Sequence, residues 1–241
     1  VACKQSNGLK SDTTRFFAGE GYQNPRQFSP RTFTYISYHE LEAAAGEPRW
    51  VFVKHQCMHC AKLYCSLVCP VDVFKKTAAG VVDYRADRCI GCGQCIGACP
   101  FHVPRIDYFN VATPHVRKCT FCLARQQASV DQVLVDGQSQ SDDHSQSRRR
   151  SFQTPACAKA CPTGTIKFGN REELLAEAKR RIADNPQGYV DHVYGETEAG
   201  GTGWLYLAAV PFERLGLPTE FLDREMFEKV DPGQGRPPRG T

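Results

Sequence analysis

The chain is expected to fold as an α+β protein of two small modules whose paths interleave around clustered cysteines, with loop insertions and an extended C-terminal tail. Three observations predict this. Twelve of the thirteen cysteines in 241 residues fall in tight groups with recurring internal spacing. Short runs of alternating apolar residues lead into those groups. A polar, low-complexity stretch interrupts the last of them.

Bulk properties narrow the function. The formal net charge is only +4, from 30 Lys and Arg against 26 Asp and Glu, which does not suggest nucleic-acid binding. The longest apolar run, "WLYLAAVPF" at 204–212, is about half of the roughly 18–20 residues a bilayer span needs and contains a proline. No direct membrane span is expected, so any membrane attachment would come through a partner. A secreted disulfide scaffold spreads its cysteines to staple loops. Paired cysteines three residues apart instead turn their sulfurs toward a common centre, which suits a metal.

Taken in chain order, Cys3 stands alone in "VACKQSNGLK". The second group, "CMHCAKLYCSLVCP", holds Cys57, Cys60, Cys65 and Cys69 before Pro70. "RWVFVKH" (49–55) alternates valines with larger residues and reads as a strand entering it. The third group, "CIGCGQCIGACP", holds Cys89, Cys92, Cys95 and Cys99 before Pro100, and "GVVDY" (80–84) is the strand expected ahead of it. The fourth opens as "CTFC" (Cys119, Cys122) and resumes in "CAKACP" (Cys157, Cys161, Pro162), followed by an expected strand, "TIKFG" (165–169). "NREELLAEAKRRIADNP" reads as a helix with Asn170 as N-cap, Pro186 as its stop and Leu174, Leu175, Ala178 and Ile182 as the buried stripe. "DGQSQSDDHSQSRRRS" (136–151) is expected to be a mobile surface loop, "EAGGTG" (198–203) a turn, and the tail from Asp231 extended.

The third group is the C-x2-C-x2-C-x3-C-P run of bacterial ferredoxins. Three cysteines on one tight loop hold three corners of an iron–sulfur cube, while backbone N–H groups point at the sulfurs. The fourth has turned away onto another element and reaches the neighbouring cube, so two motifs exchange their last ligands. Structural zinc is the alternative, but three or four cysteines in one loop followed by Cys-Pro fit it poorly. His55, His59 and His102 lie beside these loops and are expected near the cysteines or at the surface, not as ligands.

Counting ligands under the exchange rule gives Cys57, Cys60, Cys65 and Cys99 to one [4Fe–4S] cluster and Cys89, Cys92, Cys95 and Cys69 to a second. Cys119, Cys122 and Cys157 need a fourth ligand, and Cys3 is the closing cysteine of a different motif. Cys161 would then serve a further cluster whose other ligands precede Val1. Three clusters are complete within the chain, with a fourth if the N-terminal motif is present. In the self-contained alternative Cys161 completes its own motif and Cys3 is a free thiol. Each oxidised cluster carries about −2 with its thiolates, so three of them turn the formal +4 into about −2.

The order of groups, the C-x2-C-x4-C-x3-C-P form of the second, and the segments "ACKQSNGL", "RWVFVKHQCMHC", "ACAKACPTGTIKFG" and "VYGETEAGGTGWLYL" resemble the four-cluster ferredoxin-like subunit of molybdenum- and tungsten-bisPGD oxidoreductases. Formate dehydrogenase beta subunits are of this type, and dimethyl-sulfoxide and polysulfide reductases and membrane-bound nickel–iron hydrogenases have similar subunits. The likeness covers about residues 1–215; the incomplete first motif and the interruption at 123–156 depart from it. It implies an electron-transfer subunit without a catalytic site of its own. Such a subunit links a large catalytic partner to a membrane cytochrome b, a quinone-binding subunit or another acceptor. It would be membrane-associated through partners, on the periplasmic face or the cytoplasmic one. A free-standing polyferredoxin carrier is the other redox reading. The expected divisions are 1–48 (end of the first motif), 49–112 (second and third motifs), 113–185 (fourth motif, with a polar insertion at about 131–152) and 186–241 (extension with subunit contacts).

Overall fold

The computed structural model describes residues 1–12, 24–42, 48–109, 112–125 and 154–221. The polar insertion and the tail from Asp231 lie outside the described residues.

Strands β1 (Tyr35–Glu42) and β2 (Pro48–His55) pair antiparallel, with Tyr35 opposite His55 and Glu42 opposite Pro48. The alternation in "RWVFVKH" has the expected effect. Val51 and Val53 turn inward onto Met58, Tyr194, Phe212, Leu215 and Leu217, while Trp50 and Phe52 stay exposed. Fully burying each such aliphatic side chain stabilises by roughly 1.5–3 kcal/mol. Tyr206 donates its hydroxyl to the Lys54 carbonyl at 2.6 Å, and Tyr194 donates to the Pro218 carbonyl at 2.6 Å. The first bond fastens the 186–221 segment to β2, and the second ties that segment to itself.

The cysteine motifs leave room only for very short ladders. Strands β3 (Phe74–Lys76) and β4 (Val82–Tyr84) form one antiparallel pair, and β5 (Arg105–Asp107) and β6 (His115–Arg117) another. Val73, Phe74, Val82, Ile106 and Val116 from these strands and their approaches close a core that includes Cys69 and Cys95. The sequence expectation for 80–84 is met at Val82–Tyr84.

The helices are mostly single turns: α1 (Ala2–Ser6), α2 (Tyr64–Leu67), α3 (Gln94–Ala98) and α4 (Ala156–Lys159). Among the described residues only α5 (Arg171–Asp184) is long. Asn170 caps it by accepting from the Glu172 and Glu173 N–H groups at 2.8 and 3.4 Å, worth about 1 kcal/mol. Ala178 and Ile182 bury against Val193, with Leu175 packed beside them; Leu174 is half-buried over Gly169.

The expected strand at 165–169 does not form. Backbone N–H groups of Thr165 and Ile166 turn to the Cys161 sulfur instead of a ladder. Lys167 pairs with Glu177 of α5, and the Phe168 ring packs 6.1 Å from that of Phe121. The segment is held by side chains and a sulfur acceptor, so it needs no partner strand. The chain is a mixed fold of few helices and short strands. No helix among the described residues is long and apolar enough to cross a membrane.

Candidate metal centre

All thirteen cysteines are free thiols. β2 delivers the chain into the loop of Cys57 and Cys60, and the glycine-rich segment 199–203 straps that loop by backbone bonds alone. Ala61 N–H donates to the Gly201 carbonyl at 2.7 Å, Lys62 N–H to Ala199 at 3.1 Å, and Gly203 N–H to Met58 at 2.8 Å. His59 sits in the left-handed region, φ 51°, with its side chain fully buried. Its Nδ1 accepts from the Val82 N–H at 2.9 Å, so the ring proton is on Nε2. Burial, followed by the charges of Lys118, Lys76 and Lys54, holds this imidazole neutral.

Cys65 rides on α2, and Cys99 arrives at the end of α3. Burial pushes the Cys60 thiol far up, and the neighbouring thiols of Cys57, Cys99 and Cys65 push it further. Cys65 is raised in the same way, by burial and then by Cys57, with Lys118 pulling back. Cys99 is pushed up to about 11 by burial, against hydrogen bonds from the Val103 and Phe101 backbone and the charge of Lys118. Cys57, Cys60, Cys65 and Cys99 therefore stand together.

Cys69, Cys89, Cys92 and Cys95 line one cavity whose other walls are apolar, among them Val73, Ile106 and Val116. Burial pushes Cys95 up to about 12, with repulsion from Cys89, Cys92 and Cys69 adding to it. The Cys89 sulfur accepts from the Gly91 and Val116 N–H groups at 3.4 and 3.2 Å, and the Cys69 sulfur from Val73 N–H at 3.4 Å. Gly91 is required by the turn: φ is +69°, and a Cβ there would lie 2.6 Å from the Pro114 ring.

A third set gathers around the fourth motif. Phe121 and Cys122 are left-handed, φ 57° and 55°, which curls the loop so that Phe121 N–H donates to the Cys119 sulfur at 3.4 Å. Cys119 is pushed up to about 12 by burial, pulled back by Lys54 and pushed by Cys57 and Cys3. Helix α1 packs on α4, which carries Cys157. The Cys3 thiol is raised by burial against a Thr34 hydrogen bond and Lys54, with Cys122 and Cys157 adding repulsion. Cys161 is engaged separately: its thiol is lowered by the Thr163 hydroxyl and then by the Ile166 backbone.

Do these residues suit iron–sulfur clusters? Gathered thiols made hard to ionise by burial and mutual repulsion call for a positive core. Backbone N–H groups already point at the sulfurs. Two buried ring donors, Nε2 of His59 and Nε1 of Trp204, have no acceptor among the described residues. They lie on rings 4.7 and 5.4 Å from that of Phe121. Lys118 is 1% exposed and bonds only carbonyls, those of Val82 and Cys119, so its charge has no carboxylate partner among the described residues. An anionic, sulfur-rich group answers each of these needs. Among the described residues no three ligating side chains close around a single ion. Thiolates on a cube each bind a different iron and stand farther apart than the roughly 3.8 Å set by Zn–S bonds in a tetrahedral zinc site. The donor set fits the cluster.

Of the histidines beside the loops, His59 is buried against them. His55 is bonded to Ser37 at 2.8 Å and stacked on Tyr35; burial, then His39 and Lys54, lower its pKa to about 4. Sequence reasoning missed Lys54, Lys118 and the 199–203 strap. A lysine shortly before a cysteine motif looks like any surface lysine, and a strap made of backbone leaves no side-chain signal.

Comparison with known proteins matches residues 48–138 to the 4Fe-4S dicluster domain. The formate dehydrogenase iron–sulfur subunit of Haemophilus influenzae is 35% identical over 210 residues, 86% of this chain and 58% of that protein. The nitrate-inducible formate dehydrogenase iron–sulfur subunit of Escherichia coli K12 is 35% identical over 211 residues, 86% of this chain and 62% of the relative. The hydrogenase-2 operon protein HybA of Escherichia coli O157:H7 is 37% identical over 194 residues, 71% and 53% of the two chains. The chain spans between half and two thirds of the length of these relatives.

Proposed function

This chain is a 4Fe-4S protein homologous to formate dehydrogenase iron–sulfur subunits, and on that premise we propose that it is the electron-transfer subunit of an oxidoreductase complex. Its partner would be a large catalytic subunit of the formate dehydrogenase or hydrogenase kind. A membrane cytochrome b or quinone-binding subunit would be the acceptor, on the periplasmic side. Two ferredoxin-like modules would interleave, with divisions at 1–48, 49–112, 113–185 and 186–241.

Cys57, Cys60, Cys65 and Cys99 would hold one cluster, Cys69, Cys89, Cys92 and Cys95 a second, and Cys3, Cys119, Cys122 and Cys157 a third. Cys161 would serve a further cluster. When bound, each cluster supplies one-electron oxidation and reduction. The chain's own part is to bury the thiolates, direct N–H groups at their sulfurs and exclude water. One observation carries the reading: the Cys3 thiol stands near those of Cys119, Cys122 and Cys157, which lie more than a hundred residues further along the sequence.

The test is EPR of the anaerobically purified chain. Cys3→Ser and Cys119→Ser are expected to alter the same cluster signal and leave the others. If Cys3→Ser changes no signal while Cys161→Ser removes the one that Cys119→Ser removes, each motif closes on itself. Copurification with a large catalytic subunit is expected; a monodisperse chain without one, from its native host, would make it a free carrier.

A further inference from the structure

Two lysines introduce two cysteine motifs, and each lies toward the other's thiols. Lys54 stands three residues before Cys57. Its ammonium lies 4.2 Å from the centre of the Trp204 ring, which packs 5.4 Å from Phe121 in the turn between Cys119 and Cys122. It is bonded to Gln56 at 2.6 Å, a side chain itself buried and held by Tyr206. The thiols facing its charge are Cys157, Cys119, Cys3 and Cys122. Lys118 stands immediately before Cys119. Its ammonium is bonded to the Cys119 carbonyl at 3.1 Å and, across the core, to the Val82 carbonyl, and lies 5.3 Å from the Tyr84 ring. Val82 in turn donates its N–H at 2.9 Å to His59, which lies between Cys57 and Cys60. The thiols feeling the charge are Cys65 and Cys99. Neither lysine has a carboxylate within ion-pair distance among the described residues, whereas Lys4, Lys167 and Lys179 all do.

We propose that Lys54 and Lys118 are reciprocal counter-charges, each rooted at the entry of one motif and raising the reduction potential of the cluster held by the other. This rests on the ligand sets of the preceding subsection. Reduction adds one negative charge to a group that is already anionic. A fixed ammonium nearby, shielded from water, stabilises the reduced form more than the oxidised one. Because the two positions cross over, loading either cluster neutralises a charge planted in the other motif. The lysines act on the clusters as positioning residues and touch no substrate.

The test is a potentiometric EPR titration of the full chain with its clusters, together with iron counting. Lys118→Met is expected to lower the potential of the signal that Cys65→Ser alters, by about tenfold in the reduction equilibrium or about 59 mV for one electron. Lys54→Met is expected to do the same to the signal that Cys119→Ser alters. Lys54→Arg keeps the charge and is expected to hold the parent potential, and Lys75→Met on the exposed face of β3 to move nothing. If either Met variant fails to load, the other carries the test. Full iron with every signal at the parent potential in the loaded Met variants overturns the inference and leaves the ligand sets standing. A parent chain holding only about eight irons would overturn the third ligand set, and with it the role of Lys54.

Discussion

Asp12 shows how much of the site depends on residues that bind nothing. Ser29 and Thr32 donate their hydroxyls to its carboxylate, and Lys4 lies 3.6 Å away. Lys4 also donates to the Arg31 carbonyl at 2.8 Å and to the Thr32 hydroxyl at 3.1 Å. The knot ties α1, and hence Cys3, to the 28–34 segment, where Thr34 is bonded to the Cys3 thiol. Burial pushes the Asp12 carboxyl up, but the two hydroxyls and Lys4 outweigh it, so its pKa is lowered. A depressed folded pKa stabilises above the unfolded value of about 3.9 and loses that contribution as pH falls through the folded one. Protection of the Ala2–Ser6 amides, taken relative to their intrinsic exchange rates, is therefore expected to fall below about pH 4, and Asp12→Asn to show the weaker protection already at neutral pH. The nearness of Cys3 to the fourth motif was legible, because counting ligands left three cysteines short of one. The knot that holds it was not, since Lys, Asp, Ser and Thr on a polar stretch have no spacing that marks them.

At the scale of the element, the 199–203 strap and the turn at Gly195 that leads into it demand exacting backbone geometry. Gly195 has φ +98°, and a Cβ there would lie 2.2 Å from the Trp204 carbonyl oxygen. Gly195→Ala combines left-handed strain with a clash against backbone and is expected to cost on the order of 3 kcal/mol. Gly8 has φ +59° in open space, so Gly8→Ala is expected to cost about 1 kcal/mol. Denaturant titration separates the two. Only the first variant should also lose iron, because the strap carries the Met58–Lys62 loop. The elements were unequally visible beforehand. β2 and α5 showed because their burial follows a simple period and, for α5, because Asn170 and Pro186 bracket it. β1 was not predicted: "YISYHELE" buries only Ser37, so its apolar residues mark no inner face. The strand expected at 165–169 failed since β-branched composition says nothing of where the N–H groups are needed.

At the scale of the whole molecule, regular structure alone accounts poorly for a stable fold. Among the described residues two of the three sheets are three-residue pairs, and Cys69 and Cys95 are themselves core residues. Metal binding is then a large part of folding. Stripping the iron with a chelator under reducing conditions is expected to abolish protection at Phe74–Lys76 and His115–Arg117 before that of α5, whose cap and buried stripe are its own. Hydrogen exchange read by mass spectrometry checks the order. The packing of α1 on α4 has one more consequence, and it concerns time. Ribosomal synthesis delivers Ala2–Ser6 long before Ala156–Lys159 exists, so the early segment must wait, unsatisfied, while most of the chain is made. Cys3 is exposed to oxidation throughout that interval. A site that joins Cys3 to Cys157 cannot be filled until α4 has been made, well over a hundred residues after Cys3.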